Sequence, residues 1–248
     1  MKNINSLYLQ NADLYNAISN DRDFRLQAET LIKTTSSNCK RMVELFSGQG
    51  MHGLELRKMG FDCVAVDSSL DMKRSAIDAG NYDDNSYIIG TLPFFQVPQN
   101  FSNFDAFFLL RYSCGYLNIL EFNELILQCK SAANKGASLF IESHSMDTIY
   151  QGFQNLSIVT RTTSLGNDDV SCSWPSEQPV FDPYSHTANL KVSIRVNNDI
   201  INYISRENFH SFELIQFLAI KNGLKITHHS SPDYSKAFPG SIISQIFF

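Results

Sequence analysis

The stretch Arg41-Met42-Val43-Glu44-Leu45-Phe46-Ser47-Gly48-Gln49-Gly50-Met51-His52-Gly53 decides the fold. Arg41 to Phe46 read as a short apolar strand, Ser47 to Gly50 as a turn, and Met51 to Met59 as a helix. Glycines in such a turn admit positive φ and let a ligand approach the backbone. Downstream, Cys63 to Asp67 form a second strand that ends in an acid, and Leu70 to Ala79 a second helix. Tyr87 to Ile89 and Phe104 to Leu110 are further strands. Residues 118–133 carry Ile119, Phe122, Leu125, Ile126, Cys129 and Ala132 on one helix face, and Ala137 to Glu142 form a fifth strand. Strands alternating with helices over short links imply βαβ units and a mostly parallel α/β sheet. Ligands of such sheets bind outside the carboxyl ends of the strands. The strand-end residues are Glu44, Asp67, Thr91, Arg111 and Glu142 to His144.

The flanks follow another pattern. Residues 1–35 read as helical, with Leu26, Ala28, Leu31 and Ile32 on one apolar face. Residues 155–205 hold strand-like stretches at Ser157 to Thr163, Leu190 to Val196 and Ile200 to Ile204, around a loop with Trp174-Pro175 and Asp182-Pro183. This predicts an antiparallel β insertion. Ser211 to Lys221 read as a late helix stopped by Gly223, followed by strands at Leu224 to Thr227 and Ile242 to Phe248.

Of the 248 residues, 43% are hydrophobic and 18% charged, enough apolar material for a core. The net charge of −5 argues against a broad nucleic-acid-binding surface. The longest apolar run, Ala106 to Leu110, is far too short for a membrane span, and Met1 to Asn5 lack a secretory apolar stretch. A cytoplasmic chain is expected. The five cysteines include no CxxC pair, so free thiols are expected and a zinc knuckle is not. The sequons at Asn100 and Asn155 are read as chance.

Gly48 to Gly53 match GxGxxG, and Asp67 follows Gly48 by 19 residues, which satisfies the dinucleotide fingerprint. Glu44 opposes that reading. A carboxylate at the strand end beside the glycine turn repels a pyrophosphate and suits a ligand with an ammonium there. S-adenosylmethionine carries an ammonium, a sulfonium and a ribose, and no phosphate.

Val43-Glu44-Leu45-Phe46-Ser47-Gly48-Gln49-Gly50 resembles the first motif of class I S-adenosylmethionine-dependent methyltransferases, hydrophobic-D/E-x-x-x-G-x-G. Asp67-Ser68-Ser69-Leu70-Asp71-Met72 resembles the second, acid-x-S-x-x-M. Ser113-Cys114-Gly115-Tyr116-Leu117 is similar to the S-x-G-Y-L loop of the small-molecule branch, and Asp13-Leu14-Tyr15 and Asp23 to Ala28 to its N-terminal segments. The nearest subgroup is the deoxyamino-sugar N,N-dimethyltransferases, with glycine and sarcosine methyltransferase relatives. Two departures stand out: Thr91 where the family often has an acid for the adenine amino group, and Gln27 where its N-terminal segment has Glu.

The resemblance implies a Rossmann-like, doubly wound, mostly parallel seven-stranded sheet with an antiparallel insertion covering the site. It divides the chain into an N-terminal helical cap (1–38), a cofactor-binding core (39–150), the insertion (151–208) and a closing segment (209–248). It implies cofactor binding by Tyr15, Arg25, Glu44, Ser47, Gly48, Gly50, Asp67, Ser68, Met72, Thr91, Leu92 and Leu110. Arg111, Tyr112, Tyr116, His144 and Trp174 are expected at the substrate, with Arg111 on an anionic group; Asp182 and Tyr184 are candidates to cover it. Tyr15, Arg111 and His144 are the catalytic candidates, His144 as proton acceptor. His52 and His210 are read as structural.

The expected activity is metal-independent methyl transfer to a nitrogen, or an oxygen, of a small molecule in secondary metabolism. The donor is already activated, so alignment is the protein's main task. The partners expected are a small-molecule acceptor and a monomer or homodimer, with no nucleic acid or membrane. Two alternatives stay open. One is a nicotinamide-dependent reductase, from GxGxxG. The other is a cofactor-binding subunit without catalysis, supported only by Thr91.

Overall fold

A computed structural model describes residues 1–94, 101–145, 147–149, 151 and 157–248. Its elements in chain order are β1 (Lys2–Asn3), α1 (Asn5–Gln10), α2 (Ala12–Ser19), α3 (Phe24–Ile32), β2 (Arg41–Leu45), α4 (Met51–Lys58), β3 (Asp62–Asp67), α5 (Leu70–Asp78), β4 (Tyr87–Ile89) and β5 (Phe104–Leu109). A 3₁₀ turn (Ser113–Tyr116) leads to α6 (Ile119–Ala132) and β6 (Ala133–His144). Then come β7 (Thr160–Leu165), β8 (Asp168–Ser173), β9 (Val180–Asp182), β10 (Thr187–Val196), β11 (Asp199–Asn208), α7 (Phe212–Lys221), β12 (Lys225–His229), α8 (Pro232–Ala237) and β13 (Ser241–Phe247). Asn100 and Asn155, of the two sequons, lie outside the described residues, as does Tyr150 at an expected segment boundary.

The seven-stranded sheet has the order β12-β13-β6-β5-β2-β3-β4. β2 to β6 pair in parallel, and β13 runs antiparallel to both its neighbours. β5 is apolar on both faces because helices cover both. Phe107 and Leu109 pack beneath Phe122, Ile126 and Ile215 of α6 and α7. Phe108 faces the other way, among Leu31, Leu56 and Phe238. Chain order reverses at β2, whose neighbours are β3 and β5, so the sheet's ligand crevice opens at its carboxyl end.

Local signals fix the helix ends. Asn118 starts α6 with a capping box: its side chain accepts the Glu121 N–H while the Glu121 carboxylate accepts the Asn118 N–H at 2.8 Å. The Ser211 hydroxyl caps α7, and Gly223 takes φ +69° beyond its end.

The insertion forms a second sheet, β1-β11-β10-β8-β7 with β9 on β10. Its neighbours pair antiparallel except β1, which lies parallel to β11. Val192, Ile194, Tyr203 and Cys172 on its inner face pack against Leu7, Leu14 and Ile18 of α1 and α2. The N-terminal segment therefore supplies a strand as well as helices. A two-residue strand has no periodicity to read. β8 and β9 were also unread: only Val170 and Cys172 turn inward in the polar run of β8. All five cysteines are buried and free. Among the described residues no helix is long and apolar enough to cross a membrane.

Candidate active site

The glycine turn joins β2 to α4 through backbone that only glycine adopts freely. Gly48 takes φ +53° and Gly50, the N-cap of α4, φ +76°. Asp67 at the end of β3 braces the turn: its carboxylate accepts the Gly48 N–H and the Ser69 N–H, each at 2.9 Å. The Ser69 hydroxyl caps α5 through the Met72 N–H, so Asp67 is spared that task. Burial pushes the Asp67 carboxyl above its ordinary value, and the backbone N–H groups partly offset this.

Glu44 is 4% exposed and held from three sides. Its Oε2 accepts the Gly53 N–H at 2.9 Å and the Tyr82 hydroxyl at 3.3 Å. His52 Nδ1 lies 3.2 Å from its Oε1, and His52 Nε2 donates to Gln27 Oε1 at 2.8 Å. Glu44 thus ties down the first turn of α4 while it also lines the cavity. His52, read above as structural, is buried between Glu44 and Gln27 and also borders the cavity.

Two adjoining chambers open at this edge of the sheet. The larger, of about 660 Å³, runs along the glycine turn. Of the expected cofactor residues, Glu44, Ser47, Gly48, Asp67 and Ser68 line it; so do Met72, Thr91 and Leu92 beyond them. The smaller, of about 260 Å³, lies under the insertion and is lined by Asp21, Arg22, His144, Arg161, Trp174 and Glu207, among others. Tyr8, Tyr15, Ser19, Arg111 and Tyr116 border both chambers. The Tyr8 and Tyr116 hydroxyls share a 2.6 Å hydrogen bond, and the Tyr15 ring meets Tyr8 edge-on at 4.8 Å.

Glu142, near the end of β6, organises the floor of the smaller chamber. Arg22 Nη1 donates to both its oxygens at 2.7 and 2.8 Å, the Arg111 N–H to Oε2 at 2.7 Å and the Ser241 hydroxyl to Oε1 at 2.8 Å. Burial raises the Glu142 carboxyl, yet Arg22 and the other donors outweigh it and leave the group below its ordinary value. Arg111 adopts φ +56°, and its Nη1 is buried with no hydrogen-bond partner. The guanidinium stands 5.8 Å from the Phe24 ring, which meets His52 at 5.0 Å, so Arg111 approaches the Glu44 end of the larger chamber. Burial opposes its charge, but Tyr15, Asp21 and Glu142 leave it more basic than usual.

His144 lies flat on the Tyr112 ring, with centroids 3.7 Å apart and planes at 9°. Burial pushes its pKa down to about 4, so the imidazole is neutral at pH 7.

Several expected site residues lie elsewhere. Arg25 points to solvent and pairs with Glu29 at 2.9 Å, because one turn of α3 carries it away from the chambers. Leu110 is 4% exposed within the core beneath α3 and α4. Gly50 does not line the chamber; a Cβ there would come 2.2 Å from the Tyr82 ring, so its role is packing. Tyr112, expected at the substrate, lines the smaller chamber and not the larger, and its hydroxyl meets Ser241 at 2.7 Å. Asp182 and Tyr184 form a turn outside both chambers, with Tyr184 97% exposed. His210 is structural: its Nε2 donates to the Cys114 and Leu117 carbonyls.

Sequence reasoning missed Tyr8, Asp21, Arg22 and Glu207. Arg22 and Glu142 are 120 residues apart, and nothing local marks the pair. Glu207 shares a face of β11 with Ile201, Tyr203 and Ser205, and strand periodicity assigns it that face without naming a neighbour.

No protein-family model and no curated protein matches this sequence. Solved structures do match in fold. DesVI of Streptomyces venezuelae superposes with a TM-score of 0.76 at 14% identity, over 96% of this chain and 98% of its own. KedS8, a sugar N-methyltransferase from a Streptoalloteichus species, gives 0.74 at 14% identity over 94% and 91%. CalS10 of Micromonospora echinaspora, an amino pentose methyltransferase solved with S-adenosylmethionine bound, gives 0.73 at 12% identity over 94% and 94%. The chain therefore has the Rossmann-like methyltransferase fold, over nearly its whole described length.

Proposed function

We propose that this chain is an S-adenosylmethionine-dependent methyltransferase acting on a small molecule. One observation carries the reading: two carboxylates, Glu44 and Asp67, flank a glycine turn on a 660 Å³ chamber at the carboxyl edge of the sheet. That volume falls within the range of ordinary ligand sites. Paired carboxylates beside the turn repel a pyrophosphate and suit a ligand that is cationic and carries a ribose diol. The donor supplies a methyl group already activated on sulfur.

The residues divide the work by position. Asp67 is placed to accept ribose hydroxyls, with its other contacts already fixed by backbone. Met72 and Leu92 give the adenine end apolar walls, and Thr91 offers a hydroxyl there. The Glu44 end takes the amino-acid portion of the donor. Arg111, expected above to meet an anion on the acceptor, stands at that end beside Phe24, which supports the donor's own carboxylate as its anion. Tyr8, Tyr15 and Tyr116 wall the passage between chambers, where aromatic faces stabilise a sulfonium. The smaller chamber is the acceptor's. The fold's likeness to the sugar N-methyltransferase KedS8 and the amino pentose methyltransferase CalS10 supports a small polar acceptor in it.

Incubation with methyl-tritiated S-adenosylmethionine and a panel of small amines and alcohols tests the reading. Label transfer that Asp67→Ala abolishes supports it. Donor binding with no transfer to any acceptor supports the non-catalytic alternative.

A further inference from the structure

Glu207 is, among the described residues lining the smaller chamber, the carboxylate that no cation holds. Asp21 pairs with Arg161 and Arg111, and Glu142 beneath the floor is bound by Arg22. Among the described residues the donors to Glu207 are neutral: the Ser205 hydroxyl at 2.9 Å and the Trp174 side chain. Burial raises its carboxyl above the ordinary value, with no cation to offset it. Glu207 is half-buried in the chamber wall; a carboxylate partly withdrawn from water without a cation is costly, and a cationic ligand offsets that cost. The place is also suitable. Tyr8 and Tyr116, on the passage to the larger chamber, lie close enough to feel the Glu207 charge.

We propose, resting on the methyltransferase reading, that Glu207 binds the protonated amine of the acceptor and takes its proton. The acceptor of this chain is then an amine rather than an alcohol or a carboxylic acid. The ammonium N–H proton passes to a Glu207 oxygen. The freed nitrogen lone pair forms the bond to the methyl carbon as the carbon–sulfur bond breaks, and that electron pair stays on sulfur. The proton leaves Glu207 for solvent on product release.

Other groups do not obscure the titration of Glu207. Tyr8, Tyr116 and Cys114 all titrate well above neutrality, driven up first by burial, and His144 stays neutral above about pH 4. Arg22, Arg111, Arg161 and Asp21 complete the charged lining.

Ligand-observed NMR on protein saturated with S-adenosylhomocysteine tests the proposal, with n-butylammonium as probe and n-butanol as its neutral twin. The wild type is expected to prefer the amine by about tenfold or more at neutral pH. Glu207→Gln abolishes the preference while S-adenosylhomocysteine binding is unchanged, and Glu207→Asp restores part of it. The preference fades as pH falls through the raised range of the carboxyl. Equal binding of amine and alcohol by the wild type, or a preference that survives in Glu207→Gln, overturns the proposal. The comparison is repeated without S-adenosylhomocysteine, so that failure to bind that ligand counts against the methyltransferase reading while the amine result is decided separately.

Discussion

The Asp67 carboxylate accepts the Gly48 backbone N–H at 2.9 Å, which ties the end of β3 to the turn after β2. The two motifs that flank α4 in the sequence are one object in space. Tyr87 closes it from β4, donating its hydroxyl to the Gly48 carbonyl at 2.5 Å.

Gly53 shows how tightly this object is built. A Cβ there would fall 1.5 Å from the Tyr82 hydroxyl and 2.8 Å from Glu44 Oε2. Gly53→Ala is expected to cost about 1–3 kcal/mol by overpacking and to weaken S-adenosylhomocysteine binding by displacing Glu44. Denaturant melts and calorimetry on the same variant measure both. Unchanged stability and affinity would show that Tyr82 yields freely.

Arg111 is assigned to the donor's carboxylate, and 5′-methylthioadenosine lacks the whole amino-acid portion. The wild type should bind S-adenosylhomocysteine more tightly than methylthioadenosine by about tenfold or more. Arg111→Met should remove most of that preference and leave methylthioadenosine affinity alone. If the preference is intact in Arg111→Met and the acceptor KM rises instead, Arg111 serves the acceptor.

The Arg22–Glu142 pair joins the segment between α2 and α3 to β6. Glu142 is wholly buried, so Arg22→Met leaves a buried carboxylate short of its charge partner. Removing one member of such a pair costs about 3–5 kcal/mol. The double variant Arg22→Met, Glu142→Gln should recover part of the loss in Tm. No loss in the single variant would contradict the role given to this pair.

His144 couples stability to acid. Its pKa falls from 6.5 in the unfolded chain to about 4 in the fold, because burial disfavours the charged form; Arg22 adds to the shift and Glu142 opposes it. Between those values the unfolded chain binds more protons, so stability is full above about pH 6.5 and declines as pH falls toward 4. The whole effect is of the order of 3 kcal/mol. His210 and His229 are shifted in the same direction, so the readout is the difference between wild type and His144→Gln. Parallel pH–stability curves for the two proteins would contradict the burial argument.

The core was legible because its signals are local. The strand Arg41 to Leu45, the glycine turn and the strand ending at Asp67 lie close in sequence, and each reads locally as strand or turn, while their ligand stays open between a dinucleotide and S-adenosylmethionine until Glu44 is weighed. Asp67, Ser68 and Met72 are placed on the site by the resemblance of their segment to the family's second motif, and all three line the larger chamber. What escaped depends on which distant segments meet. Arg25 and Arg22 lie within one helical turn of each other in sequence, yet Arg22 reaches Glu142 while Arg25 reaches only Glu29. Glu207 becomes notable only when Trp174, Tyr116 and β11 are brought together by the second sheet. β1, two residues paired on β11 from the other end of the chain, is legible only in three dimensions.

Calorimetric titration with S-adenosylhomocysteine, with NADH as control and Asp67→Ala in parallel, tests the central claim most directly. Binding in the micromolar range, about −8 kcal/mol, is predicted for S-adenosylhomocysteine, with none for NADH and a large loss in the variant. Binding of NADH without S-adenosylhomocysteine would contradict the assignment and return the glycine turn to a dinucleotide.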